Sequence, residues 1–143
     1  MRNIILIAFA FTLFAACKTQ DTIGFQKPSQ TLENTYWKLW QMDAIEYKGE
    51  TSEPVHIQLT SDGRFKGFAG CNMIWGIWKF QSQEIQFSNI NRTKTACNEL
   101  ANEEIVLEHL QKTKAYMISG EHLILISNDG HALLNFIAST KQP

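Results

Sequence analysis

The sequence predicts an α+β fold dominated by β-structure. The expected architecture is an antiparallel meander or partly closed barrel of about eight strands, with one amphipathic helix packed on it. Three observations predict it. Short runs alternate apolar and polar residues, as in Val55-His56-Ile57-Gln58-Leu59. Turn signals such as Asp62-Gly63 and Asn128-Asp129-Gly130 separate those runs. One stretch, Asn98 to Thr113, loses the alternation and places Leu100, Glu103, Val106, Leu107 and Leu110 on a single helical stripe.

The N-terminus is set apart from this fold. Met1-Arg2-Asn3 is short and basic, and Ile4 to Phe14 is an eleven-residue run, apolar apart from Thr12. That run is shorter than the ~20 apolar residues that span a bilayer. Ala15 and Ala16 are the small residues a signal peptidase requires, and Cys17 follows them in the manner of a bacterial lipobox. Residues 1–16 are therefore expected to be a lipoprotein signal peptide. Cys17 is the expected lipidation site, because its thiol takes a diacylglycerol thioether and its freed amine a further acyl chain; two or three chains anchor stably where one does not. Residues 17–34 read as the lipidated Cys and a flexible polar tether, reaching roughly 20–25 Å as a random coil. Residues 35–143 are left as one domain.

Within that domain the strands are expected from Tyr36 onward, through Val55–Leu59, Phe65–Phe68, Ile74–Phe80 and Ile85–Phe87. After the helix come Tyr116–Ile118, His122–Ser127 and His131–Ala138. Asn98 is the expected N-cap, with Glu99, Glu103 and Glu104 near the positive end of the helix dipole and Lys112 and Lys114 at the other.

Without residues 1–16, 12 Lys+Arg face 14 Asp+Glu, a net charge of −2. That balance argues against a nucleic-acid binder, which needs a basic patch or stripe, and equally against a polybasic membrane-binding surface.

The motifs resemble the META domain family, whose bacterial members include HslJ-like envelope lipoproteins. Thr35-Tyr36-Trp37-Lys38-Leu39 is similar to its opening strand, with Trp37 as the motif residue. The run Gly63 to Asn72, ending in Gly70-Cys71-Asn72, is similar to its central signature, and Gly76 follows at the family's spacing. Thr93-Lys94-Thr95-Ala96-Cys97 resembles the second signature, in which Thr93 and Ala96 match and Thr95 stands where Met is usual. The resemblance covers about Leu32 to Phe136. It implies a compact β-rich domain with no cofactor and no catalytic residues that can be carried over. It links the chain in general terms to envelope maintenance and stress tolerance.

Cys71 and Cys97, 26 residues apart, are expected to form a disulfide in an exported protein, with two buried free thiols as the alternative. Neither has a Cys or His within four residues, which argues against a metal site. His56 alternates outward on its strand and His109 lies off the helix stripe, so both are expected at the surface along with His122 and His131. Glu103 lies inside an apolar stripe, where a carboxylate needs backbone donors or an Arg or Lys at the helix–sheet boundary. Trp37 and Trp40 are three apart, as are Trp75 and Trp78, so each pair splits between the two faces of its strand. Trp40, Trp75 and Trp78 are the candidate ligand platform. The expected function is a non-enzymatic, lipid-anchored envelope protein. Its partners are the membrane and an unknown protein or small-molecule ligand. An inhibitor of a hydrolase, or a holdase for apolar clients, is the alternative. The outer membrane is the expected location, because Lys18 rather than Asp follows Cys17.

Overall fold

A computed structural model describes residues 26–49, 51 and 53–140. The signal-like segment, Cys17 and the first half of the tether, with Ile23 and Phe25, lie outside the described residues. The alternating runs form nine strands. These are β1 (Tyr36–Met42), β2 (Ile45–Glu46), β3 (His56–Leu59), β4 (Arg64–Phe68), β5 (Met73–Gln81), β6 (Glu84–Arg92), β7 (Thr113–Ser119), β8 (His122–Ser127) and β9 (Ala132–Ser139). Helix α1 (Leu100–Lys112) separates β6 from β7. Each strand pairs antiparallel with its neighbour, and β1 also pairs with β9, so the sheet closes into a ring without being a regular barrel. Closure is thinnest between β6 and β7, where Glu84 opposite Ala115 is the one ladder pair.

The inward positions of the strands fill the ring. Trp37, Leu39, Ile57, Leu59, Phe65, Ile74, Trp78, Ile85, Leu123, Leu125, Leu134 and Phe136 are buried together, and α1 adds Val106, Leu107 and Leu110. Indole N–H groups taken into this core need acceptors. Trp37 Nε1 donates to Leu32 O at 3.0 Å, and Trp78 Nε1 donates to Thr60 O at 3.0 Å. Gly76 is required by close approach, because a Cβ there would lie 2.6 Å from Phe65 Cε1 and 2.8 Å from Ser88 O.

The ring has two distinct ends. The β3–β4, β5–β6 and β7–β8 turns lie at one, together with residues 26–35. There Gln26 N donates to Ser119 Oγ, Ser29 N to Gly120 O, and Asn34 N to Leu59 O. The second half of the expected tether thus hydrogen-bonds to the strands and their turns. The β1–β2 turn, the β4–β5 connection, residues 93–99 and α1 gather at the opposite end.

Three sequence expectations are corrected here. The helix begins at Leu100 with Glu99 in the cap position and no capping side chain, so Asn98 is not its N-cap, and Leu100 faces solvent. His56 is buried, because the segment before β3 folds back over the outer face of β1 and β3 and covers it. Its imidazole stacks on Tyr36 at 4.4 Å, and its Nδ1 lies 3.0 Å from Pro54 O. His109 is buried as well, since its Nε2 lies 2.9 Å from the Asp43 carboxylate in the β1–β2 turn, which folds against the helix. His131 is exposed, as expected.

Candidate functional site

The residues of the two signatures meet at one end of the ring and form a clasp around Asn72. This side chain, almost fully buried in the β4–β5 connection, uses all of its polar groups. Its Oδ1 accepts from Thr93 Oγ1 and from Thr95 N, each at 2.7 Å. Its Nδ2 donates to Glu103 Oε1 at 2.9 Å and to Thr95 O at 3.2 Å. Its backbone N–H donates to Glu103 Oε2 at 2.6 Å. Glu103 has no exposed surface and is the carboxylate the helical stripe singled out. Arg92, at the end of β6, completes its shell with Nη1 on Glu103 Oε1 at 2.8 Å, while Nη2 reaches Glu104 Oε1 at 2.7 Å. A buried charge costs stability unless it is paired and hydrogen-bonded, and here it is both.

The disulfide between Cys71 and Cys97 closes the same end, one residue from Asn72. Gly70 precedes it with φ +109°, a backbone conformation that side-chain-bearing residues rarely adopt. The clasp also accounts for Thr95 in place of the family's Met, because Thr95 serves through its backbone N–H and C=O while its side chain is exposed. Ala96 is exposed, and nothing in the structure explains its place in the motif. Arg92 was missed in the sequence. Its only signal there is its position directly before the Thr93 signature.

The three tryptophans of the expected platform do not come together. Trp78 is core, 3% exposed, and stacks on Phe80 at 5.4 Å. Trp40 is 41% exposed on β1 and lies against His122 of β8 at 4.9 Å. Trp75 is 45% exposed on the outer face of β5, opposite Lys66 of β4 and Asn91 of β6. The within-pair split of buried and exposed partners holds for both pairs.

A different concavity holds a buried hydroxyl that has no partner among the described residues. The β2–β3 connection arches over the outer face of β1 and encloses a cleft of about 540 Å³. That is within the roughly 300–1,000 Å³ of small-molecule sites. Tyr36, Lys38, Tyr47, Glu53 and Val55 line it, with Ser139 from β9. The Tyr36 hydroxyl is buried and has no hydrogen-bond partner among the described residues. Burial, and secondarily the charge of Glu53, push it up to about 12, so it stays protonated. Tyr47 is likewise pushed up to about 12 by burial and then by Glu99, whose carboxylate accepts its hydroxyl at 3.4 Å. Burial holds His56, behind Tyr36, below the usual histidine range, so Glu53 at 3.6 Å faces a neutral imidazole near pH 7. Sequence reasoning missed this cleft, because its roof and floor are joined only by the fold.

Similarity to known proteins agrees with this architecture. An NMR structure of a protein from Burkholderia xenovorans superposes with a TM-score of 0.60 at 22% identity, covering 77% of this chain and 85% of that one. A second NMR structure gives 0.60 at 16% identity, over 73% and 89% of the two chains. A crystal structure of a DUF4847 family protein from Bacteroides vulgatus gives 0.56 at 17% identity, over 78% and 96%. At these identities the likeness shows the fold alone. No curated protein matches the sequence. The META domain model matches residues 30–140, the span that holds the ring, the disulfide and the complete clasp. The chain belongs to the META domain family.

Proposed function

We propose that this protein is a non-enzymatic binding protein of the bacterial envelope, anchored by lipid on Cys17 and presenting its META domain from the membrane, with the outer membrane the favoured site. The observation that carries the binding reading is the cleft over β1. There a buried, protonated Tyr36 hydroxyl, without a partner among the described residues, lies among Lys38, Glu53 and an apolar wall from Val55. An unmet buried hydroxyl costs free energy that a ligand atom can recover. The non-enzymatic reading draws on the clasp, whose acid, amide and guanidinium are committed to one another, and on the disulfide, which leaves neither Cys71 nor Cys97 a thiolate. The lipid reading draws on the run ending in Ala15-Ala16-Cys17.

Two measurements test these parts. Intact-mass analysis of the purified protein should find a diacylglyceryl adduct that Cys17→Ala abolishes; an unmodified chain would refute the anchor. Native mass spectrometry should find a retained small molecule that Tyr36→Phe releases, whereas empty protein from every preparation would count against the cleft. The second reading, a hydrolase inhibitor or holdase for apolar clients, draws on Met73, Trp75 and Ile77, exposed in a row on β5. Suppression of a client's aggregation that Trp75→Ala removes would favour it.

A further inference from the structure

Alternation along β5 points Met73, Trp75, Ile77 and Lys79 outward, and all four are exposed. The register places Phe68, Lys66 and Arg64 of β4 beside Met73, Trp75 and Ile77. On the other flank, β6 presents Asn91, Ser88 and Gln86 opposite Trp75, Ile77 and Lys79. This face therefore carries an indole and two aliphatic side chains among three cations, with no carboxylate at any of those register positions. Two carboxylates border it: Asp62, 3.7 Å from Arg64 in the β3–β4 turn, and Glu84, exposed on β6 opposite Gln81 and two residues from the partner of Lys79. No ion pair is made by Lys66 or Lys79 among the described residues. In a chain of slightly negative net charge, this is a local concentration of positive charge around apolar surface.

The path of the chain supplies the second argument. Gln26 is held at the β7–β8 turn, the same end of the ring as the β3–β4 and β5–β6 turns that flank Ile77 and Lys79. Eight residues, 18–25, separate it from Cys17. Even fully extended, the nine steps from Cys17 to Gln26 reach no more than about 32 Å. A lipid on Cys17 therefore holds the turn end of the ring close to the bilayer. Aromatic side chains flanked by Lys and Arg suit the headgroup boundary of such a surface, where indoles sit and cationic stems snorkel.

We propose that the outer face of β4 and β5 docks on an anionic phospholipid surface, with Trp75 and Ile77 at the headgroup boundary and Lys66, Lys79 and Arg64 on the phosphates. This deepens the proposed function and rests on its anchor for the reach of the tether. It makes the domain lie on the membrane on one defined side, leaving the cleft over β1 open to a ligand.

The test uses the full mature protein with vesicles rich in phosphatidylglycerol whose acyl chains are brominated, which quench tryptophan on contact. Emission should fall on mixing, the fall should vanish in Trp75→Phe, and it should persist in Trp40→Phe, whose indole lies on β1 instead. Each cation near an anionic surface is worth roughly a fivefold change in partition, so Lys66→Ala with Lys79→Ala should weaken binding about 25-fold. High salt should weaken it too. Absence of quenching, quenching that survives Trp75→Phe, or protection of Trp75 by a protein client alone would overturn the proposal. Intact mass reports separately on Cys17, so a chain without lipid refutes the anchor while Trp75 quenching still decides the docking face.

Discussion

At the clasp end of the ring, Asn72, Arg92, Thr93 and Glu103 come from different segments and hold one another through side-chain hydrogen bonds and an ion pair around the buried Asn72 and Glu103. At the turn end, the chain is held by backbone bonds, such as Asn34 N to Leu59 O and Ser29 N to Gly120 O, beside short hairpins. The first arrangement demands particular side chains. An Asp at position 72 could not donate to Glu103, and a shorter acid at position 103 would not span to both Asn72 and Arg92. The second relies mostly on backbone bonds, with separate side-chain ties such as Gln26 N to Ser119 Oγ and Trp37 Nε1 to Leu32 O, and has no interlocked buried network among the described residues. The Gly70-Cys71-Asn72 end of the central META signature and the Thr93 to Cys97 signature fall at the end where side-chain identity is structurally required. They mark how the helix and the 93–99 segment are locked onto the strands.

Mutations at the two ends should separate accordingly. The largest effect should come from the disulfide. Replacing Cys71 and Cys97 by Ser should lower stability in urea unfolding by about 3–4 kcal/mol, because the loop it closes is long. Glu103→Ala should cost about 3 kcal/mol in the same measurement, since it strips Asn72 of acceptors for two buried N–H groups. At the turn end, Gly120→Ala should cost only about 1 kcal/mol, the strain of a Cβ at φ +58°. A loss at Gly120 equal to that at Glu103 would erase the distinction between the ends.

The smallest effect should be a pH dependence outside both ends. Burial keeps the imidazole of His56 below its unfolded range, so the unfolded chain takes up the proton first. Its contribution is intact above about pH 6.5 and drains away as pH falls below that. The drop in Tm between about pH 7.5 and pH 5 should therefore be smaller in His56→Phe than in the parent chain. An unchanged drop would show that His56 is not held neutral.

Much of this was legible in the residues. Alternation located eight of the strands, and three-residue spacing split each tryptophan pair between two faces without telling which member is core, so Trp78, a core residue, stood in the expected platform. The helical stripe marked Glu103 as a buried acid in need of donors, and it has them. The two-residue strand β2 was not legible, because Ile45 and Glu46 are both exposed and too few to alternate. His56 reads as outward, and it is. What periodicity does not encode is that the β2–β3 connection covers that outward face. The same arch makes the cleft, in which the Tyr36 hydroxyl has no partner among the described residues. His109 escaped for a related reason, since its partner Asp43 lies 66 residues away in a turn. Local pattern gives faces, and long-range topology decides which faces are covered.

The most direct test of the clasp is a double-mutant cycle on Asn72→Ala and Glu103→Ala, read by urea unfolding of the oxidised protein. The account predicts a coupling of about 1–3 kcal/mol, because each change removes the other's partner. Losses that add to within about 0.5 kcal/mol would contradict it, and would mean that the signature residues do not hold this end of the domain together.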